Sequence, residues 1–305
     1  MAEETGAVRK QDVGGAVMFM MLALVSFTLV AIAGRAAAKG VTTVELMLIR
    51  SVLGAIIIVV IATATGARLA DFKSERLGLH AGRSLVHFGA QFSWLYALTL
   101  IPLAELFALE FTAPLWVALL APIVLRERLT IWRVLAALLG FVGAMIVVQP
   151  GLLAGTVGFR FSEGSLYAIA SAVGFAISMV ATKFLTRTET VLRILFYMHA
   201  FQAVIAAILL RGRIPMPDAV TMMWVVAVTL AGLTAHYGLA KAFSKADAII
   251  VAPLDFFRLP LIALVGAVLY GEGLAPTLLV GAAFVVIGNL VNLYGERRTA
   301  TRSKV

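Results

Sequence analysis

Apolar runs of about 20 residues follow one another along this chain with only short polar breaks between them, and that pattern limits the fold more than any motif does. A helix rises about 1.5 Å per residue, so a run of that length crosses a hydrocarbon layer about 30 Å thick. Reading the runs against their breakers gives ten spans, at 14–34, 43–65, 78–100, 104–125, 130–149, 164–183, 191–210, 219–239, 247–270 and 275–294. The longest polar stretches, 66–77 and 150–163, leave no room for an inserted soluble domain. Only 13% of the residues are charged, against about 25% in water-soluble domains, so a single water-soluble core is excluded.

The net charge of +9 is a matter of topology rather than of nucleic acid. Lys and Arg form short clusters between apolar runs, with no basic domain to hold a phosphate backbone. With the amino terminus inside, 18 of them, including Arg68, Arg126, Lys183, Arg187 and Arg298, fall on the cytoplasmic side. Arg35, Lys39, Arg160, Arg211 and Arg213 fall on the other. The positive-inside bias therefore puts both termini in the cytoplasm. The chain has no cysteine, which removes disulfides, zinc-thiolate sites and thiol nucleophiles. Arg9 and Lys10 ahead of an apolar run ending in "AIAG" at 31–34 resemble a cleaved signal, but the run is long for one and the internal repeat needs it as a first helix.

That repeat has a spacing of 145 residues: Ala97 and Ala242, Thr99 and Ser244, Leu109-Glu110-Phe111 and Leu254-Asp255-Phe256, Glu127 and Glu272, Gly143 and Gly288. Each half holds five spans, and an odd number turns the second half upside down relative to the first. The expected fold is all-α integral membrane, with ten transmembrane helices as two inverted five-helix repeats. Residues 1–13 form a cytoplasmic amino-terminal segment, 14–150 the first repeat, 163–294 the second and 295–305 a basic cytoplasmic tail. Small residues at four-residue spacing, Gly164, Ala168, Ala172 and Ala176 on the sixth span and Ala136, Gly140 and Ala144 on the fifth, let helix backbones approach closely. They read as packing within a monomer, with a homodimer as the alternative.

These features together resemble the drug/metabolite transporter superfamily, and within it the EamA-type ten-helix carriers, over residues 14 to 294. The marks are "LRERL" at 125–129 and "YGEGL" at 270–274, "RSVLGA" after "ELMLI" in the second span, and "FTAPLWVALLAPIVL" at 111–125. The stretch "KAFSKADAIIVAPLDFFRLPLIALVGAVLYGE" at 241–272 resembles a subgroup that includes S-adenosylmethionine uptake carriers. Riboflavin importers and exporters of amino acids share the architecture. The resemblance implies translocation of a small-molecule solute across the cell inner membrane by alternating access, with no cofactor.

Ionisable groups inside a bilayer cost roughly 2.5–3.5 kcal/mol each on insertion scales, so each needs a partner or a purpose. Here they are Arg50, Glu105, Glu110, Asp255 and Arg258, with His87, His199 and His236 beside them. Helical rise puts Arg50 about 10 Å and Glu110 about 9 Å below the outer surface, which makes them a matched pair in depth. Asp255 lies about 12 Å from the inner surface and shares a helical face with Arg258 three residues on. Ala113 stands where the first half would carry an equivalent of Arg258, so Glu110 has no local cation.

Two readings stay open: the acids neutralise arginines and fix helix register, or they line a cavity and bind a polar solute group or a proton. Pro253 and Pro260 around Asp255, and Pro114 and Pro122 after Glu110, free backbone carbonyls of the kind found at broken transporter helices. Trp94, Phe107, Phe111 and Phe256 are candidate stacking surfaces, with core or lipid-facing packing as the alternative. His87 and Gln91 share one face of the third span. The candidate substrate or coupling residues are therefore Arg50, His87, Gln91, Trp94, Phe107, Glu110, Phe111, Pro114, Asp255, Phe256 and Arg258. Glu127 and Glu272 sit at helix junctions and read as caps and register anchors.

No histidine has the spacing or the acidic partner of a metal site. A membrane carrier of a small polar or amphipathic metabolite, such as a flavin, a nucleoside-like methyl donor or an amino acid derivative, is the leading function. An integral-membrane enzyme or a flippase acting on lipid head groups is the alternative. An enzyme needs a compact acid/base or metal constellation, usually at one membrane face, which this pattern lacks.

Overall fold

A computed structural model describes residues 12–66, 72–113, 115–117, 119–120, 131–148, 162–185, 188–214, 216–245, 254–255 and 257–302. Among these residues the chain forms the helices α1 (Val13–Ala37), α2 (Thr43–Ala64), α3 (Leu77–Leu100), α4 (Leu103–Glu110), α5 (Ile131–Val148), α6 (Glu163–Leu185), α7 (Val191–Leu209), α8 (Ala219–Lys245), α9 (Arg258–Tyr270) and α10 (Pro276–Arg302). Local chemistry sets several ends. Thr42 and Glu45 form a reciprocal capping box at the start of α2, and Asp12 accepts from Gly15 N–H at the start of α1. Gly271, at φ 64°, closes α9 in the left-handed region that a side chain would disfavour.

Among the described residues six stretches, Val13–Ala37, Thr43–Ala64, Glu163–Thr182, Val191–Leu209, Ala219–Leu239 and Pro276–Gly295, are long and apolar enough to cross a membrane. The chain is a multi-pass membrane protein. Large apolar side chains such as Met18, Phe141 and Ile208 stand more than 60% exposed on its outside, where lipid rather than water meets them. α3 is as long as its neighbours but carries His80, Arg83 and His87, each turned into the bundle.

The helices pack as α1 on α8, α3 on α6, α2 on α7, α5 on α10 and α4 on α9, with α2 also on α8, α3 on α7, α4 on α6 and α1 on α9. Exchanging the first five helices for the last five reproduces this set of pairings. The same relation holds at atomic scale between α5 and α10. A Cβ on Gly143 would come within 2.6 Å of the Gly281 carbonyl and 2.8 Å of Val285 N. A Cβ on Gly288 would come within 2.8 Å of the Ala136 carbonyl and 3.1 Å of Gly140 N, the positions 145 residues earlier. The two backbones touch, which only glycine allows.

The small-residue stripe of α6 is also consumed inside the molecule. Ala168, Ala172 and Ala176 are fully buried, and a Cβ on Gly164 would strike Ile101 and Leu100 at the end of α3.

Candidate functional site

The two repeated triplets each sit at a helix break. α4 stops at Glu110, and the chain turns with Thr112 N–H donating to the Leu109 carbonyl at 3.1 Å. At the equivalent place Phe257 N–H donates to the Leu254 carbonyl at 3.2 Å, and α9 begins at Arg258. The expected fourth span is therefore interrupted after Glu110, and the ninth shows a turn at Phe257, two residues after Asp255. Pro260 falls in the first turn of α9, where its missing N–H removes no helical bond. The Phe111 carbonyl freed by the first break accepts from Asn289 Nδ2 of α10 at 2.8 Å.

Both acids meet at one cation. Arg258 Nη2 lies 3.2 Å from Asp255 Oδ2 and 3.4 Å from Glu110 Oε1, and the arginine is only 6% exposed. Glu110 Oε2 accepts from Trp94 Nε1 at 2.7 Å. The guanidinium carbon lies 4.7 Å from the Phe27 ring centroid, 5.0 Å from that of Phe111 and 5.3 Å from that of Phe107. Three aromatic faces and two carboxylates thus enclose a single charge, which their quadrupoles and anionic groups stabilise together.

This arrangement corrects the depth-matched pairing of Glu110 with Arg50. Depth along a helix says nothing about azimuth, and α4 packs on α9 while α2 packs on α7 and α8. Glu110 does have a close cation, supplied by the other half of the chain. The acids are likewise not separate anchors at two depths, because they share one nitrogen.

Arg50 lies elsewhere, 7% exposed, and makes no hydrogen bond or ion pair among the described residues. A Cβ on Gly232 of α8 would lie 3.9 Å from its Nη2. One turn along α2, a Cβ on Gly54 would lie 2.6 Å from the His199 ring of α7. Arg83 Nε donates to Thr182 Oγ1 at 2.6 Å, and His87 Nδ1 shares a 2.8 Å hydrogen bond with Gln202 Nε2. Gln91 shares that face of α3, with its Oε1 buried and unbonded. Phe27 connects the two groups: its ring makes an edge contact with His236 at 5.6 Å and faces Arg258.

Phe107 is fully buried and meets Trp94 edge to face at 5.9 Å. Pro114, Phe256 and Glu127 lie outside the described residues. Glu105 accepts from Ser165 Oγ at 2.7 Å. Glu272 Oε2 accepts from Leu103 N–H, the first residue of α4, at 2.8 Å, and its other oxygen is ion-paired with Arg35 Nη1. Arg35 also donates to the carbonyls of Leu98 and Ile101, each at 2.8 Å, so this pair ties α1, α3, α4 and α9 at one end of the bundle.

At another end, Glu189 accepts from Ser74 Oγ and from Arg193 Nη1, both at 2.6 Å. Burial pushes the Glu189 carboxyl up, but these two bonds and the charges of Arg193 and His80 outweigh it and hold it below its usual value.

Sequence reasoning missed Phe27, Asn289, Gln202 and Arg83 as members of these groups. Asn289, Gln202 and Arg83 carried a signal, a polar side chain within an apolar helix. Phe27 carried none, being one apolar residue among many. An apolar cavity of about 430 Å³ beside Thr112, Leu115, Trp116, Gly140 and Phe141 holds none of the ionisable groups, so the chemistry lies outside it. Among the described residues no group of three His, Cys, Asp or Glu is placed to hold a metal.

The sequence profile of the EamA-like transporter family matches residues 14–149 and again 162–294. A riboflavin transporter of Brucella anthropi is 32% identical over 239 residues, covering 75% of this chain and 81% of that protein. An S-adenosylmethionine uptake transporter of Rickettsia felis is 25% identical over 230 residues, covering 75% of this chain and 76% of its own length. A solved crystal structure, 22% identical, superposes with a TM-score of 0.63 over 94% of this chain and 99% of its own, a likeness of fold. With the profile fitting both halves, the chain belongs to the EamA-like transporter family.

Proposed function

We propose that the protein is a secondary transporter of the cell inner membrane, which moves a small polar or amphipathic metabolite by alternating access between two inverted five-helix repeats. The observation that carries this reading is the shared arginine: equivalent acids at equivalent helix breaks, one from each half, meet at Arg258. A transporter needs an element with two arrangements whose balance the solute shifts. The Glu110–Arg258–Asp255 cluster is such an element, because a solute or proton that takes one carboxylate loosens the contact between the halves.

The inverted plan is supported by the family profile fitting twice, by the exchange symmetry of the helix pairings and by the matched Gly143 and Gly288 contacts. Repeats of five spans then put residues 1–13 and 295–305 on one side, and the positive-inside bias makes that side the cytoplasm. Close packing of the α6 stripe within the molecule supports a monomer.

The relatives named for riboflavin and S-adenosylmethionine support a solute with a flat heterocycle and polar attachments. Trp94, Phe107 and Phe111 supply aromatic surface next to the charges.

Counterflow in proteoliposomes tests the proposal, with riboflavin, S-adenosylmethionine and amino acids as solutes. Saturable uptake of at least one, reduced about tenfold or more in Glu110→Gln and Asp255→Asn, is the expected result. Uptake and pH dependence unchanged in both variants would reduce the acids to structural partners of Arg258. Turnover of a lipid with no counterflow would replace the carrier with an enzyme.

A further inference from the structure

The second polar group, on α2, α3, α7 and α8, has the opposite chemistry to the Arg258 cluster. Arg258 is matched by two carboxylates. Arg50, Arg83, His87, His199 and His236 have none among the described residues: the hydrogen bonds they make go to Thr182, Met198 and Gln202. They form one group, since Arg50, Arg83 and His236 all lie close enough to His199 to act on it electrostatically.

Several polar atoms in the group are buried and unbonded: Arg50 Nε, Arg83 Nη1, His199 Nδ1 and Gln202 Oε1. Arg50 and Arg83 are less than 10% exposed, and His199 and Gln202 are 2% and 0% exposed. Native interiors leave few such atoms unsatisfied, and an unpaired guanidinium at membrane depth is costly.

We propose that this group of side chains binds an oxyanion, a carboxylate or a phosphate carried by the transported solute, with Arg50 as its principal ligand and His199 and Arg83 beside it. The inference rests on the transporter reading and names the substrate class of that interior. A guanidinium offers a planar fork of donors matched to the paired oxygens of carboxylate or phosphate. A cation or metal would meet two fixed positive charges instead.

Phe27 lies between His236 and Arg258, so this group and the paired acids flank one aromatic side chain. A solute bearing an oxyanion at one end and a polar or cationic group at the other would engage both.

The test is the melting temperature of the full chain in detergent, with pyrophosphate, citrate and riboflavin 5′-phosphate as probes. Chloride at matched ionic strength and unphosphorylated riboflavin are the controls. At least one oxyanion raises the melting temperature saturably above both controls. Arg50→Gln abolishes that rise, and Arg50→Lys, which keeps charge without the fork, retains part of it. Stabilisation by pyrophosphate or the flavin phosphate alone assigns a phosphate site, and by citrate alone a carboxylate site. Should Arg50→Gln fail to fold, His199→Gln serves in its place and is expected to weaken the saturating probe about tenfold.

No rise above the controls with any oxyanion, or a rise undiminished in the folded variant, overturns the proposal. Counterflow on the same preparation separates the two readings. Oxyanion stabilisation without counterflow of any solute leaves the oxyanion site and removes the transporter proposal. Counterflow of riboflavin with no oxyanion effect does the reverse.

Discussion

Glu110 and Arg258, 148 positions apart in sequence, approach to 3.4 Å across the two halves of the bundle. Arg258 is buried, and the same nitrogen is also held by Asp255. Removing the arginine strands two carboxylates at once. Arg258→Gln is therefore expected to destabilise the folded protein by on the order of 3 kcal/mol. Adding Glu110→Gln to that variant should recover part of the loss, since it removes one stranded charge. Chemical or thermal unfolding in detergent reads both, and additive losses would show that the pair is not coupled.

Asn289 of α10 reaches across and donates to the Phe111 carbonyl at the turn that follows Glu110. Asn289→Ala removes that hydrogen bond, at an expected cost of about 0.5–1.5 kcal/mol. Because the turn positions Glu110, transport should fall as well. Transport at wild-type level in a destabilised Asn289→Ala protein would separate the turn from the site.

Gly143 and Gly288 make equivalent contacts with the opposite helix backbone. Gly143→Ala and Gly288→Ala are each expected to cost about 1–3 kcal/mol, because a backbone cannot rotate aside as a side chain can. Gly89 in α3 has open space around it, and Gly89→Ala should be neutral or stabilising by about 0.5–1 kcal/mol. Parallel melting curves decide it, with equal losses at all three positions counting against the contact argument.

Glu189, held below its usual carboxyl range by Ser74 and Arg193 against the effect of burial, links stability to pH. A depressed carboxyl contributes stability that is complete above its unfolded value of about 4.3 and is lost as pH falls through the lower folded value. The difference in melting temperature between the native chain and Glu189→Gln should be largest near neutrality and shrink as pH falls below the unfolded value of about 4.3 and through the lower folded one. A difference independent of pH would mean that shape, not charge, holds Ser74.

Much of the architecture was legible in the order of residues. Apolar run length fixes membrane helices because the hydrocarbon layer has one thickness and satisfies no backbone group. The repeat at 145 residues marked Glu110 and Asp255 as equivalents, and the two stand before the same local turn, although the spans were expected to run on through it. The Asp255–Arg258 contact was also readable, because three residues along a helix face settle it.

Which charge meets which across helices was not. Rise per residue matched Glu110 with Arg50 and left Arg258 to Asp255. The choice fell to azimuth and neighbour: α4 lies on α9, while α2 turns Arg50 toward Gly232 and the side of His199. Sequence alone determined that this chain spans a membrane in two related halves carrying buried charge. Only the tertiary structure decided that the acids converge on one arginine and leave the other unpaired, because a helix's periodicity fixes which residues share a face but not which neighbour that face meets.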